Sequence, residues 1–259
     1  MTTQSNKKLT SAQKKRFYCG TSNVVLPVPN KGHFPPEYQD KSRLCYYSSL
    51  FNTVEVNSSF YKIPLRKTVE KWSLEVADNF LFTFKLWKGI THGKELIYDP
   101  ADIDRFMNAV SGVGTKKGCI LIQLPASIKF SFFRKVRKLL NELSTSAEIG
   151  QWRVAIEFRD KSWYNDVVYE MLEGFKASVV IHDMPASRTP IIDMGTSFSY
   201  FRFHGEKGDY RGSYEPDILK DYALEMTPNL KSGPVFAYFN NTMGAAVHNA
   251  IDLNHLILG

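Results

Sequence analysis

Short β-prone runs and longer helical stretches alternate along this chain, and no other feature of the sequence limits the fold as strongly. The β-prone runs are residues 16–22, 51–57, 80–87, 118–124, 153–158, 177–183, 199–204 and 235–240. Between them, 66–77, 102–110, 132–143, 164–174, 215–226 and 244–258 carry apolar residues at helical spacing or helix-boundary signals. Pro216 falls near a first helical turn, where its missing N–H is harmless. The first crossover is proline-rich through Pro36, with a helix from about Gln39. The connection between the sixth and seventh runs is short for a full helix. Parallel strands need crossovers, so strict β–α alternation implies a parallel sheet with helical connections. Eight such units predict a single α/β domain, a closed (β/α)8 barrel of the TIM type over residues 16–259. An open doubly wound sheet is the alternative. The turn after its first strand would read as a glycine fingerprint, and Cys19-Gly20-Thr21-Ser22-Asn23 does not.

With 43% hydrophobic residues in 259, the chain can bury a core of that size. Its net charge of +7 is unevenly placed. Lys7, Lys8, Lys14, Lys15 and Arg16 stand in a stretch without acids and account for five of those charges. Residues 1–15 therefore read as a flexible basic tail, and the body of the chain argues only weakly for nucleic acid as a partner. Cys19, Cys45 and Cys119 form neither a CxxC nor a zinc pattern, which fits a reducing compartment. There is no apolar secretory segment and no apolar run of about 18 residues. The expectation is a soluble, cytoplasmic protein with no membrane partner.

Alternate residues of a strand share one face. Several of the runs end with polar residues two apart: Thr53, Glu55 and Asn57; Thr83 and Lys85; Glu157 and Arg159; Arg202 and His204; Tyr238 and Asn240. A barrel interior takes ionised groups only when they are paired, so this recurrence predicts a polar mouth at the C-terminal ends of the strands. Structural ion pairs, such as Glu157 with Arg202, are the competing reading, and the two are compatible. His182 reads as a packing histidine, whereas Asp183 can turn into the mouth. The glycine-rich stretch 205–212, with Lys207, Tyr210 and Arg211, can bring amides and cations to an anion. Asn241 or Thr242 is placed to cap the final helix.

At these residues the chain resembles the YecE-like family of unknown function (domain of unknown function seventy-two). The similar segments are Gly20-Thr21-Ser22, Phe51-Asn52-Thr53-Val54-Glu55-Val56-Asn57-Ser58-Ser59-Phe60-Tyr61, Phe84-Lys85 with Ile90-Thr91-His92, and Gln123-Leu124-Pro125. They continue through Ala155-Ile156-Glu157-Phe158-Arg159 with Ser162-Trp163, Asp183, Arg202-Phe203-His204-Gly205, Tyr210-Arg211-Gly212 and Tyr238-Phe239-Asn240-Asn241. The resemblance implies a TIM-type barrel and brings no established reaction. One departure is Asn23-Val24-Val25-Leu26-Pro27, where the family usually continues with glycine and aromatic residues; it bears on the pocket wall that the first loop forms.

The mouth suggests an enzyme acting on an anionic small molecule, phosphorylated ones included. Glu55, Glu157 and His204 are the candidate acid–base groups. Asn57, Lys85, Arg159, Asp183, Arg202, Tyr210, Arg211, Tyr238 and Asn240 are the candidate ligand contacts, arginine offering a planar fork to an anion. No cofactor and no metal are expected, because cations crowd the carboxylates. A glycosidase using the two glutamates, a metal-dependent phosphoesterase, and a non-catalytic binder of a metabolite or nucleic acid are the competing readings.

Overall fold

The computed structural model describes residues 9–190 and 196–259. Eight strands form one parallel sheet: β1 Phe17–Thr21, β2 Thr53–Val56, β3 Leu81–Lys85, β4 Lys117–Gln123, β5 Arg153–Glu157, β6 Ser178–His182, β7 Ser199–Phe203 and β8 Val235–Phe239. Their order is β1-β8-β7-β6-β5-β4-β3-β2, so the sheet runs once around and returns to its start. All eight expected strands are present, with ends shifted by a residue or two. The chain is a TIM-type (β/α)8 barrel.

The helices are α1 Ser11–Lys14, α2 Arg43–Leu50, α3 Ser58–Tyr61, α4 Arg66–Leu74, α5 Lys88–Thr91, α6 Ala101–Val110, α7 Phe133–Thr145, α8 Asp166–Gly174, α9 Pro216–Ser232 and α10 Ala246–Leu258. Each long helix turns its apolar stripe inward: α7 buries Val136, Leu139, Leu140 and Leu143. Among the described residues, the connection from β6 to β7 contains no helix. Helix α9 runs beyond the expected Met226 and carries Pro228 inside it. Proline removes one helical donor, but Thr227 Oγ1 and Asn229 Nδ2 donate to the carbonyls of Ala223 and Glu225 in that turn. Helix α10 starts at Ala246 without a side-chain cap, correcting the expected role of Asn241 or Thr242. Asn241 instead donates to the Gly212 carbonyl and to Asn249 Oδ1.

Residues 1–8 of the expected tail lie outside the described residues. Residues 11–14 form α1, closed by a capping box between Thr10 and Gln13. Lys14 Nζ donates to the Leu258 carbonyl, the kind of contact that satisfies an orphan acceptor at a helix end.

Two apolar shells hold the barrel. The larger lies between strands and helices. The smaller fills the lumen with Cys119, Leu121, Ala155, Val180, Phe198, Tyr200, Phe236 and Tyr238. Among the described residues, no helix is long and apolar enough to cross a membrane.

The seam between β1 and β2 is closed differently from the others. Its only strand-type pairing is an isolated bridge between Ser22 and Glu55. Side chains supply the remaining bonds. Tyr47 Oη accepts from the Thr21 N–H at 2.8 Å and donates to the Thr53 carbonyl at 3.1 Å. Asn52 Oδ1 accepts from the Cys19 N–H, and its Nδ2 donates to the Phe17 carbonyl. Gly20 leaves the space for the Tyr47 hydroxyl.

Candidate functional site

The inward face of each strand follows from its parity. The Tyr238 hydroxyl, from β8, meets Thr53 Oγ1 of β2 at 2.7 Å and Thr83 Oγ1 of β3 at 2.8 Å. These residues form a sealed polar layer. Tyr238 is fully buried with its hydroxyl engaged, so it supports the mouth from below. Two residues further along β2 and β7, toward the C-terminal ends of the strands, lie Glu55 and Arg202.

Arg202 is the centre of the site and is 1% exposed. Its Nε donates to Glu55 Oε2 at 2.9 Å, and its Nη2 donates to Glu55 Oε1 at 2.7 Å. Its Nη1 donates to Glu157 Oε2 at 2.8 Å. Glu55 also accepts from Ser22 Oγ at 2.6 Å and from Tyr200 Oη at 2.5 Å. Burial pushes the Glu55 carboxyl up, but the Arg202 charge and the hydrogen bonds from Arg202, Ser22 and Tyr200 outweigh it and hold the group below its ordinary value. Burial also acts on Glu157, where the charges of Arg159 and then Arg202 win and the carboxyl lies well below its ordinary value. A single guanidinium bridges both glutamates.

Asp183 follows β6 and turns toward His204. Its Oδ1 accepts from the His204 backbone N–H at 2.9 Å and lies 3.2 Å from His204 Nδ1. Tyr214 donates to its Oδ2. With Nδ1 protonated toward Asp183, as this network assigns it, Nε2 offers its lone pair to Arg159 Nη2 at 3.0 Å and Arg202 Nη1 at 3.2 Å. Burial, with the two arginine charges, holds His204 below its ordinary value despite Glu157 and Asp183. The ring is therefore neutral near pH 7.

Arg159 differs from Arg202. Its side chain is 12% exposed at the mouth. Its Nε forms an ion pair with Glu157 Oε1, and both atoms are buried. Its other contacts are the His204 lone pair and the Met184 thioether.

Lys85 stands at the end of β3. Its Nζ donates to Gln123 Oε1 at 2.8 Å and sits 4.0 Å above the Phe60 ring. Burial and the nearby Arg202 charge bring its amine down to about 8. His92 packs edge-on against the same Phe60 ring at 4.8 Å. Asn57 Oδ1 is buried without a partner. The Asn57 N–H donates to Asn23 Oδ1, which joins the first and second loops. Asn23 adopts φ 64°, a region that asparagine tolerates better than most residues.

In the 205–212 loop, half of the amides expected to form a cradle are taken up internally. The amides of Gly205, Gly208, Tyr210 and Arg211 donate to Tyr214 Oη, the Gly205 carbonyl, the His204 carbonyl and Asp209 Oδ1 respectively. Tyr210 lies edge-on to His204 at 5.8 Å. Arg211 is exposed on this loop, and Asn240 is half-buried just after β8. Glu55, Glu157, Arg159, Asp183, Arg202 and His204 thus form one connected cluster. Lys85 lies beside it, Tyr238 beneath it and Arg211 on the outside. Ser22, Tyr200 and Tyr214 complete the cluster, and none of the three stood among the candidate site residues, although Ser22 lies in the Gly20-Thr21-Ser22 segment. Tyr200 was available from parity, two residues before Arg202; Tyr214 reaches Asp183 from a loop and carries no local signal. Among the described residues, no three His, Cys, Asp or Glu side chains converge as a metal-ligand set.

His182 accompanies the cluster. Its Nε2 lies 3.0 Å from the Phe158 carbonyl, and its Nδ1 accepts from the Met184 N–H. Burial brings it to about 4, with His204 and Arg159 acting in the same direction and Glu157 opposing. A histidine depressed in the folded state adds stability above its unfolded value near 6.5, and that stability is lost as pH falls toward 4. Urea unfolding between pH 7 and 5 is expected to show this loss, up to about 3 kcal/mol in full. His182→Gln is expected to flatten that part of the profile. An unchanged slope would show that His182 is not its source.

These features define a TIM-type barrel with a buried ion network beneath its C-terminal mouth. The chain belongs to the family described as protein of unknown function DUF72, whose model matches residues 19–258. It is 29% identical over 204 residues to the UPF0759 protein YunF of Bacillus subtilis (strain 168), covering 73% of this chain and 70% of that one. It is 31% identical over 81 residues to the UPF0759 protein YecE of Escherichia coli (strain K12), covering 31% and 30% of the two chains. The solved DUF72 family protein of Thermotoga maritima MSB8 superposes with a TM-score of 0.75 at 26% identity, covering 94% of this chain and 99% of that one. The DUF72 family protein of Enterococcus faecalis V583 reaches 0.75 at 19% identity, over 94% and 96% of the two chains.

Proposed function

We propose that this barrel binds an anionic small molecule at its mouth and acts on it as an enzyme. One observation carries the reading: two arginines meet at the site, and only one of them is fully enclosed. Arg202 is enclosed by Glu55 and Glu157. Arg159 is paired with Glu157 through its buried Nε, yet its side chain stays 12% exposed at the mouth. A guanidinium in that condition is suited to a carboxylate or phosphate, since charge-assisted bonds are the stronger kind. Lys85 adds a second cation, while Asn57, Tyr210 and Asn240 line the approach. Glu157, whose Oε1 lies 3.8 Å from His204 Nε2, and His204, oriented by Asp183, are the groups proposed to move protons. Glu55 positions Arg202.

The occupied Nε2 of His204 favours a second reading, a binding protein without catalysis, because the lone pair is shared between two guanidiniums. We also place the protein in a reducing compartment, the cytoplasm, since Cys19 and Cys119 are buried free thiols.

Phosphate titrated into the wild-type protein is expected to raise its melting temperature. A ligand at about 100 times its Kd adds about 2.7 kcal/mol by mass action. Arg159→Ala should lose most of this gain, and Lys207→Ala, on the exposed loop, should keep it. Equal stabilisation of all three proteins would remove the anion site.

A further inference from the structure

We propose that Lys85 is a nucleophilic amine that forms a Schiff base with the carbonyl group of an anionic aldehyde or ketone, such as a 2-oxo acid. The proposal rests on the anion-binding reading of the mouth and names the substrate class. Lys85 lies on the lumen-side face of β3, one strand step beyond Thr83, whose hydroxyl meets Tyr238. It therefore rises into the mouth and not toward the helices.

Its surroundings differ from those of an ion-pairing lysine. Among the described residues no carboxylate lies within salt-bridge distance of its Nζ. The amine donates to a neutral amide oxygen, Gln123 Oε1, and rests on the face of Phe60. Gln123 is itself held, because its Nε2 donates to the Leu124 carbonyl at 2.9 Å. The charged groups acting on Lys85 are Arg202 and Arg159, which oppose a further positive charge, and Glu157 and Glu55, which favour it. Both glutamates are already committed to the arginines. With an amine near 8, about a tenth of the lysine is unprotonated at neutral pH. Desolvation beside other cations is how lysine nucleophiles are activated.

The chemistry balances without a redox partner. The lone pair of Nζ attacks the carbonyl carbon, and the π pair moves to oxygen, which takes the proton leaving nitrogen. The carbinolamine then loses its hydroxyl as water, after protonation from solvent at the mouth, and leaves a C=N⁺ iminium. Arg159, at the exposed side of the cluster, is the partner for the anionic group of the same molecule. An iminium withdraws electrons from the adjacent carbon, so the reaction class is cleavage, formation or protonation of a bond at that carbon.

The test uses the full chain with pyruvate, glyoxylate and the neutral ketone acetone as separate probes. Sodium cyanoborohydride reduces any iminium to a stable secondary amine, which peptide mass spectrometry then locates. With the anionic probes, Lys85 is expected to be labelled at least tenfold faster than the exposed Lys88, and Lys85→Arg should abolish that labelling while retaining the fold. Labelling of Lys85 no faster than Lys88 with every probe would overturn the Schiff base and leave the phosphate test of Arg159 standing. Fast labelling of Lys85 by acetone and pyruvate alike would uphold the nucleophile and overturn the anionic substrate class. Arg159→Ala separates the two ideas further: it should slow labelling by pyruvate several-fold more than labelling by acetone, and equal slowing with both probes would overturn Arg159 as the partner of the anionic group.

Discussion

Replacing Arg202 by alanine is expected to destabilise the protein by about 3–5 kcal/mol, the cost of breaking a buried pair by removing one partner. The variant leaves two fully buried carboxylates, Glu55 and Glu157, facing a space from which their shared cation has gone. For a domain of this size that corresponds to a fall in melting temperature of roughly 10 °C. The pH dependence identifies the cause. Both carboxyls lie below their ordinary value in the folded protein, so the network adds stability above an unfolded value near 4.5 and loses it as pH falls through the folded values. Removal of Arg202 lifts that depression. The deficit of the variant relative to wild type should therefore shrink as pH drops below about 4.5, where the carboxyls protonate. Urea unfolding of both proteins at pH 7 and pH 4 measures this directly. A loss under about 1 kcal/mol at pH 7 would mean that the cavity admits enough water to solvate the carboxylates, and that Arg202 is not the keystone of the network.

The second large effect is expected at Gly20. A Cβ there would stand 2.3 Å from the Thr53 carbonyl oxygen and 2.6 Å from Tyr47 Oη. The first neighbour is backbone and cannot swing aside. Relief has to come from separating β1 and β2, at the one seam where an isolated bridge stands in place of a ladder. Gly20→Ala should therefore cost about 2–3 kcal/mol, at the upper end of overpacking effects. Tyr47→Phe removes the hydroxyl without adding bulk. It leaves the Thr21 N–H and the Thr53 carbonyl without that partner and should cost about 1–3 kcal/mol. The double variant should lose less than the sum, since both changes strike the same contact. Additive losses would show that Gly20 and Tyr47 act independently and that the seam is held by other means.

The candidate site was readable in the sequence to the extent that it lies on strands. Glu55, Lys85, Glu157 and Arg202 all occupy the inward parity of an apolar run, where an unpaired charge is too costly to be incidental. Arg159, Asp183 and His204 follow the ends of β5, β6 and β7 and could be placed at the mouth. Roles were less legible than positions. Nothing local tells that Glu55 is saturated by Arg202, Ser22 and Tyr200, or that Arg159 stays partly exposed while Arg202 is enclosed. The 205–212 loop has the composition of an anion cradle, yet four of its amides are spent on Tyr214, Asp209 and the carbonyls of His204 and Gly205. Composition supplies donors, and only the folded path decides where they point.

By itself, the sequence determined the eight strands, their alternation with helices and the polar character of one end of the barrel. These depend on residues a few positions apart, and periodicity is a short-range property of the chain. The tertiary structure alone decided the partners. Glu55 and Arg202 are 147 residues apart, and they meet because the strands carrying them face each other across the lumen at the same height. Tyr47 enters the β1–β2 seam from a helix, and Tyr214 reaches Asp183 from a loop. Such contacts are set by barrel closure and strand stagger, which arise when all eight strands pair at once, so no window of sequence contains them.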